Sequence, residues 1–166
     1  MPLDPAQVVL VAEAVKDQLD ADVKANVFTG LNFEPERSWV DADTALKDCD
    51  GLKVDCVGSQ YEDSDPSSRS RIGYVVAVEI IIRQKFGTND RGQDRKIKTS
   101  DVDQLAALVQ QIHERFIKER RPAGMTGSSW KSGKIITACS RKHLREYSTF
   151  VGVIRELYDA PKAIAA

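Results

Sequence analysis

Ile72-Gly73-Tyr74-Val75-Val76-Ala77-Val78-Glu79-Ile80-Ile81-Ile82-Arg83-Gln84-Lys85-Phe86 is the stretch that decides the fold. Side chains alternate between faces along a strand, so Ile72, Tyr74, Val76, Val78, Ile80, Ile82 and Phe86 share one side. Val75, Ala77, Glu79, Ile81, Arg83 and Lys85 share the other, wetter side. The pattern predicts one long amphipathic β-strand over 72–86 at the centre of the domain. Its length predicts that one end bends or outruns the core. From Gly58 to Arg71 every residue except Tyr61 is polar, Gly or Pro, and Asp63-Ser64-Asp65-Pro66-Ser67-Ser68 is a strong break. That segment reads as a long mobile hairpin loop leading into the strand.

Outward from this hairpin, Leu52, Val54 and Cys56 alternate with Lys53 and Asp55, as in a strand with one wet face. Residues 24–40 place Val27, Leu31, Phe33, Trp39 and Val40 around Gly30 and Pro35, which suits an irregular strand and an extended segment. Asp41 to Gly51 reads as a short acidic turn or loop. Asp4 and Pro5 open a first helix over about 5–20, with Val8, Val11, Ala12, Val15 and Leu19 on its apolar face. On the other side, 87–98 breaks the strand, and Ser100 with Asp103 resembles a capping box. Leu105, Leu108, Val109, Ile112 and Phe116 then trace a second helix, which closes in Lys118, Arg120 and Arg121 before Pro122. A Gly/Ser loop over 122–133 carries Met125 and Trp130. Strands follow at 134–139 and about 147–158, separated by the basic stretch Arg141-Lys142-His143-Leu144-Arg145. The expected fold is an α+β two-layer sandwich, with an antiparallel or mixed sheet, two helices on one face and a long β-hairpin loop.

A chain of 166 residues with 42% hydrophobic content suits one domain, expected over 1–160 with a frayed tail at 161–166. No run of eighteen apolar residues is present, and Met1-Pro2-Leu3-Asp4 lacks the character of a signal peptide, so synthesis in the cytoplasm is expected. Cys49, Cys56 and Cys139 are odd in number and lack C-x-x-C spacing, which argues for reduced thiols. The net charge of −1 hides an asymmetry. Residues 1–66 hold 15 acidic and 5 basic side chains, whereas 67–166 hold 10 and 19. Such a split suggests complementary surfaces that meet between subunits, unless folding interleaves the two segments and erases it.

Chemical motifs are weak. Gly127 to Lys134 superficially suggests a phosphate loop, but the glycine spacing is one residue too long and Ile135 stands where a Ser or Thr would hold magnesium. Cys139 and His143 could bind zinc with Cys49 and Cys56, yet the latter pair is seven residues apart. A Cys139 nucleophile with His143 or His113 as base lacks a local signature for an orienting group. Glu79 and Lys85 hint at a metal-dependent nuclease, but six residues of strand separate them by about 20 Å. The basic clusters at 118–121 and 141–145 could touch DNA phosphates, although a helix end and a solvated loop explain them equally well. The expectation is a protein without catalytic, cofactor or metal residues and without sequence-specific nucleic-acid binding or membrane association.

Several landmarks resemble the tail terminator and tail-completion proteins of long-tailed bacteriophages. They are the initial helix, Phe33-Glu34-Pro35-Glu36-Arg37-Ser38-Trp39, Leu52-Lys53-Val54, the polar loop and Tyr74 to Ile82. The helix over 101–121, Gly124 to Trp130, and Phe150 to Tyr158 complete a likeness over nearly the whole chain. The resemblance implies a virion protein of the neck or tail end, forming a ring, typically a hexamer, that caps the tail tube and meets the head connector. Head-completion, stopper and connector proteins of the neck are the alternatives. A small DNA-binding adaptor and a metal-dependent enzyme are more distant ones. For the subunit and partner interface, the expected residues are Glu62, Asp63, Asp65, Arg69 and Arg71 of the loop, with Glu79, Arg83 and Lys85 of the long strand.

Overall fold

The computed structural model describes residues 3–40, 51–63, 70–87, 97–122, 124–125 and 127–163. Its elements are α1 (Gln7–Lys24), β1 (Pro35–Ser38), β2 (Leu52–Glu62), β3 (Arg71–Ile72) and β4 (Tyr74–Lys85), followed by α2 (Thr99–Lys118), β5 (Ser129–Thr137), α3 (Arg141–Tyr147), β6 (Thr149–Asp159) and β7 (Lys162–Ala163). The main sheet runs β1-β2-β4-β6-β5. Among the described residues only the β1 to β2 pairing is parallel, so the sheet is mixed within an α+β fold.

Strand β4 is central because both its edges are hydrogen-bonded over its whole length, by β2 on one side and β6 on the other. The expected strand over 72–86 is cut at Gly73. Ile72, with Arg71 from the expected loop, leaves the sheet and pairs with β7 as a two-stranded ribbon. The long strand therefore does outrun the core at its N-terminal end, and Lys162–Ala163 is held by that ribbon. Strand β2 continues through Gly58 to Glu62, five residues into the expected loop. There the antiparallel ladder to Tyr74 through Val78 satisfies backbone groups that a polar sequence would otherwise leave to water.

Both helices cover one sheet face. The even-numbered residues of β2, β4 and β6 point that way: Val54, Cys56, Val76, Val78, Ile80, Ile82, Phe150, Ile154 and Tyr158 join one core with the apolar stripes of α1 and α2. Two glycines allow the close approach. A Cβ on Gly58 would lie 2.6 Å from Val8 Cγ2 of α1, and one on Gly152 would lie 2.5 Å from Val109 Cγ2 of α2. The helices are tied to each other by Arg115, whose Nε and Nη2 donate to the buried Asp22 carboxylate at 2.9 and 3.2 Å.

Helix ends depart from expectation. Ala6, not Asp4, precedes α1 and has no capping side chain; instead the Val8 N–H donates to Gln60 Oε1 of β2 at 2.8 Å. Lys98 precedes α2 without a side-chain cap, so the expected Ser100 and Asp103 box does not form. The basic stretch 141–145, expected as a loop, lies in α3, capped by Ser140, whose side chain accepts from the His143 N–H. Only a four-residue β1 survives from the strand expected within 24–40, because α1 runs on to Lys24 and the turn that follows buries Phe28 against Phe33. Strand β5 starts at Ser129, inside the expected Gly/Ser loop.

Gly58→Ala is expected to cost about 1–3 kcal/mol by pushing α1 off the sheet. Because the first obstacle is a single stiff side chain, much of that loss should be recovered in a Gly58→Ala/Val8→Ala background. Urea unfolding of the two single variants and the double variant checks this; strictly additive losses would contradict it.

Candidate interaction surface

The odd-numbered residues of β2, β4 and β6 form the sheet face turned away from the helices. Val75, Ala77, Ile81 and Val151 are buried there, and two ion pairs are set among them. Arg83 Nη2 donates to Asp55 Oδ2, joining β4 to β2, with the Arg83 side chain 1% exposed and that of Asp55 12%. Arg155 Nη2 donates to Glu79 Oε1 at 2.6 Å, joining β6 to β4 directly across the ladder. The first pair is mostly dehydrated, so removing one partner would strand a buried charge. The second is over a third exposed and contributes little to stability.

The expected interface residues separate into three places. Glu62, Asp63 and Arg71 are exposed at the same end of the β2–β4 hairpin, with the Asp63 N–H donating to the Gly73 carbonyl at 2.7 Å. Glu79 sits mid-strand and is engaged by Arg155. Lys85 is exposed at the opposite end of β4. Arg83 is corrected: it is wholly buried and holds Asp55, so it is an internal charge and not a surface one. Asp65 and Arg69 lie outside the described residues, as does Cys49.

The nucleophile and metal alternatives meet unfavourable chemistry. Burial pushes the Cys56 thiol up to about 12 and raises that of Cys139, so both resist becoming thiolates. His143 Nδ1 is 2.6 Å from Ser140 Oγ, within the turn that starts α3. No three His, Cys, Asp or Glu side chains among the described residues are grouped to hold a metal ion, and no described helix is long and apolar enough to cross a membrane.

One polar centre was not anticipated. Glu156, on β6, points into the helix side of the sheet and is 0% exposed. Trp130 Nε1 of β5 donates to its Oε2 at 2.7 Å, and His113 Nδ1 of α2 lies 2.6 Å from its Oε1. The carboxyl group lies across Gly133, where any Cβ would collide with it. Arg120 stacks over the Trp130 ring at 5.5 Å, and the Trp130 N–H donates to the Arg120 carbonyl at 3.0 Å. His113, expected as a residue on the flank of α2, therefore clamps that helix to the sheet. The signal was legible in phase: Glu156 falls in register with Phe150, Ile154 and Tyr158, a charge on an apolar face. An enclosed carboxyl without solvent access positions α2 and β5 and is not built to meet a substrate.

Burial raises the Glu156 carboxyl above its ordinary range, against the lowering effect of Trp130 and His113. No protein-family model and no curated protein matches the chain.

A carboxyl raised in the folded state binds its proton more tightly than the unfolded chain does. Its stabilising contribution is thus complete below the unfolded value of about 4.3 and is lost as pH rises through the folded value. Glu156→Gln keeps the shape and removes the titration. Wild type is expected to lose stability relative to this variant as pH is raised from about 4 to about 7. Urea titrations of both proteins check it, and a difference that does not vary with pH would contradict it.

Proposed function

We propose that the chain is a structural subunit of a tailed-bacteriophage virion, a tail terminator that assembles with its own copies into a ring. In this proposal the ring, a hexamer, caps the tail tube and presents a surface to the head connector. The single observation that carries it is the charged end of the sheet formed by β2, β4 and the β3–β7 ribbon. The first turn of α1 sits on Gly58 and Gln60, so residues 61–63 and 71–72 continue past the start of that helix. They carry Tyr61, Glu62, Asp63 and Arg71 as exposed side chains, and Lys131 of β5 reaches Asp63 at 3.8 Å. A charged sheet end that runs past the start of α1 suits a subunit that meets a neighbour across a boundary. The landmark segments that resemble terminators also take orderly places in the fold: 33–39 leads into and through the parallel edge strand, Gly124 to Trp130 leads into β5, and Phe150 to Tyr158 is β6. Another neck component, such as a stopper or connector protein, would use the same charged end in the same way.

Purified protein is expected to sediment as a closed oligomer and to show rings in negative-stain micrographs. A particle that stays monomeric at every concentration would overturn the proposal.

A further inference from the structure

The fold keeps the sequence's charge split as a split in space. Among the described residues, 3–40 and 51–63 hold ten acidic and four basic side chains, and 97–163 hold seven and twelve. The first group builds α1, β1 and β2 on one side of β4, and the second builds α2, β5, α3 and β6 on the other. The β1 side of the sheet is thus net acidic, although β1 itself holds both Glu36 and Arg37, and the β5 side is net basic.

On the acidic side, the Glu34 and Glu36 side chains are exposed, with no side-chain hydrogen bond or ion pair among the described residues. Glu36 lines two clefts, of about 350 and 200 Å3. The first is also lined by Glu13, Lys16 and Arg37, and the second by Glu34, Lys53 and Asp55. On the basic edge, Lys134 of β5 and Arg141, Lys142 and Arg145 of α3 are exposed and likewise without such a partner. No described element pairs with the outer side of β1 or of β5.

We infer that the partner at each edge is a second copy of this chain, whose acidic β1 edge docks on the basic β5–α3 edge of the next. The contact is heterologous: each copy offers one edge of each sign, so a first contact leaves a free acidic edge at one end and a free basic edge at the other. Like edges repel and unlike edges attract, which sets the polarity of addition. Two edges on opposite sides of one sheet propagate the association, and the rotation between copies decides whether it closes. A nucleic acid would be drawn to the basic edge alone and would leave the acidic edge without a role. The inference rests on the proposed self-assembly and specifies the surfaces that carry it.

The test uses two charge reversals on exposed side chains, Glu34→Lys/Glu36→Lys and Lys134→Glu/Arg145→Glu, with analytical ultracentrifugation at low salt. Each variant alone is expected to associate about tenfold more weakly than wild type, and added salt should weaken wild-type association. An equimolar mixture should regain association, because one variant then offers two basic edges and the other two acidic ones. A monomeric wild type would overturn both the assembly proposal and this inference. Wild-type assembly that neither reversal weakens, or that mixing fails to restore, would overturn the edge inference alone. Association of wild type only when duplex DNA is added, lost in the Lys134 variant and kept in the Glu34 variant, would assign the basic edge to nucleic acid and also overturn it.

Discussion

Everything else in the molecule is placed by the double pairing of β4. A strand hydrogen-bonded on both edges must bury its backbone, and here its apolar even face also receives two helices. That leaves its odd face to solve a different problem, because charged Glu79 and Arg83 cannot be left unpaired among buried Val75, Ala77 and Ile81. The solution is lateral. Arg83 reaches back to Asp55 on β2 and Glu79 reaches forward to Arg155 on β6, so both neighbours are pinned in register by charge as well as by the ladder. A slip of one residue would bring charges to the helix side and break both pairs.

The same logic explains the buried carboxyl on β6. An isolated carboxylate in an apolar interior costs several kcal/mol, more than its hydrogen bonds return if any is missing. Glu156 has a donor from the edge strand and a ring nitrogen from the opposing helix, on opposite oxygens. It therefore enforces a geometry rather than adding much stability: α2, β5 and β6 must each be in place before the group is satisfied. Gly133 is required in the same place, since the carboxyl lies in the space a side chain would fill. By contrast the neighbouring Tyr158 hydroxyl is buried without a hydrogen-bond partner among the described residues, and its ring supplies packing alone.

Periodicity made the helix stripes, the central strand and the α+β class legible, because those are set by burial of one face. It did not show where elements end. The extension of β2 to Glu62 depends on partners twelve to eighteen residues away, and no local feature of Ser59-Gln60-Tyr61-Glu62 announces it. The α1 cap was missed for the same reason, since Gln60 supplies it from another element. Helix α3 has one partly buried leucine, Leu144, so no apolar stripe marks it, and its ends are set by Ser140 and by the left-handed Ser148 at φ 51°. Of the surface residues expected at an interface, Glu62, Asp63 and Arg71 are exposed at the hairpin end, whereas Arg83 followed the alternation pattern and was still buried. Alternation tells which face a residue takes, not whether that face is wet.

The two open edges carry a conflict that the sequence resolves in favour of charge. Unpaired strand edges invite indiscriminate pairing with other chains. Here β1 is four residues long and begins with Pro35, which has no N–H to offer. Strand β5 is broken by irregularities between Trp130 and Ser132 and between Ile135 and Thr137, and it exposes Lys131 and Lys134. Such edges are poor templates for continuous backbone pairing. In the proposed assembly, association across them draws on side chains, which are mainly acidic on the β1 side and mainly basic on the β5 side. A contact of that kind discriminates by sign, so the features that protect the edges from aggregation also make unlike edges the favoured ones to join.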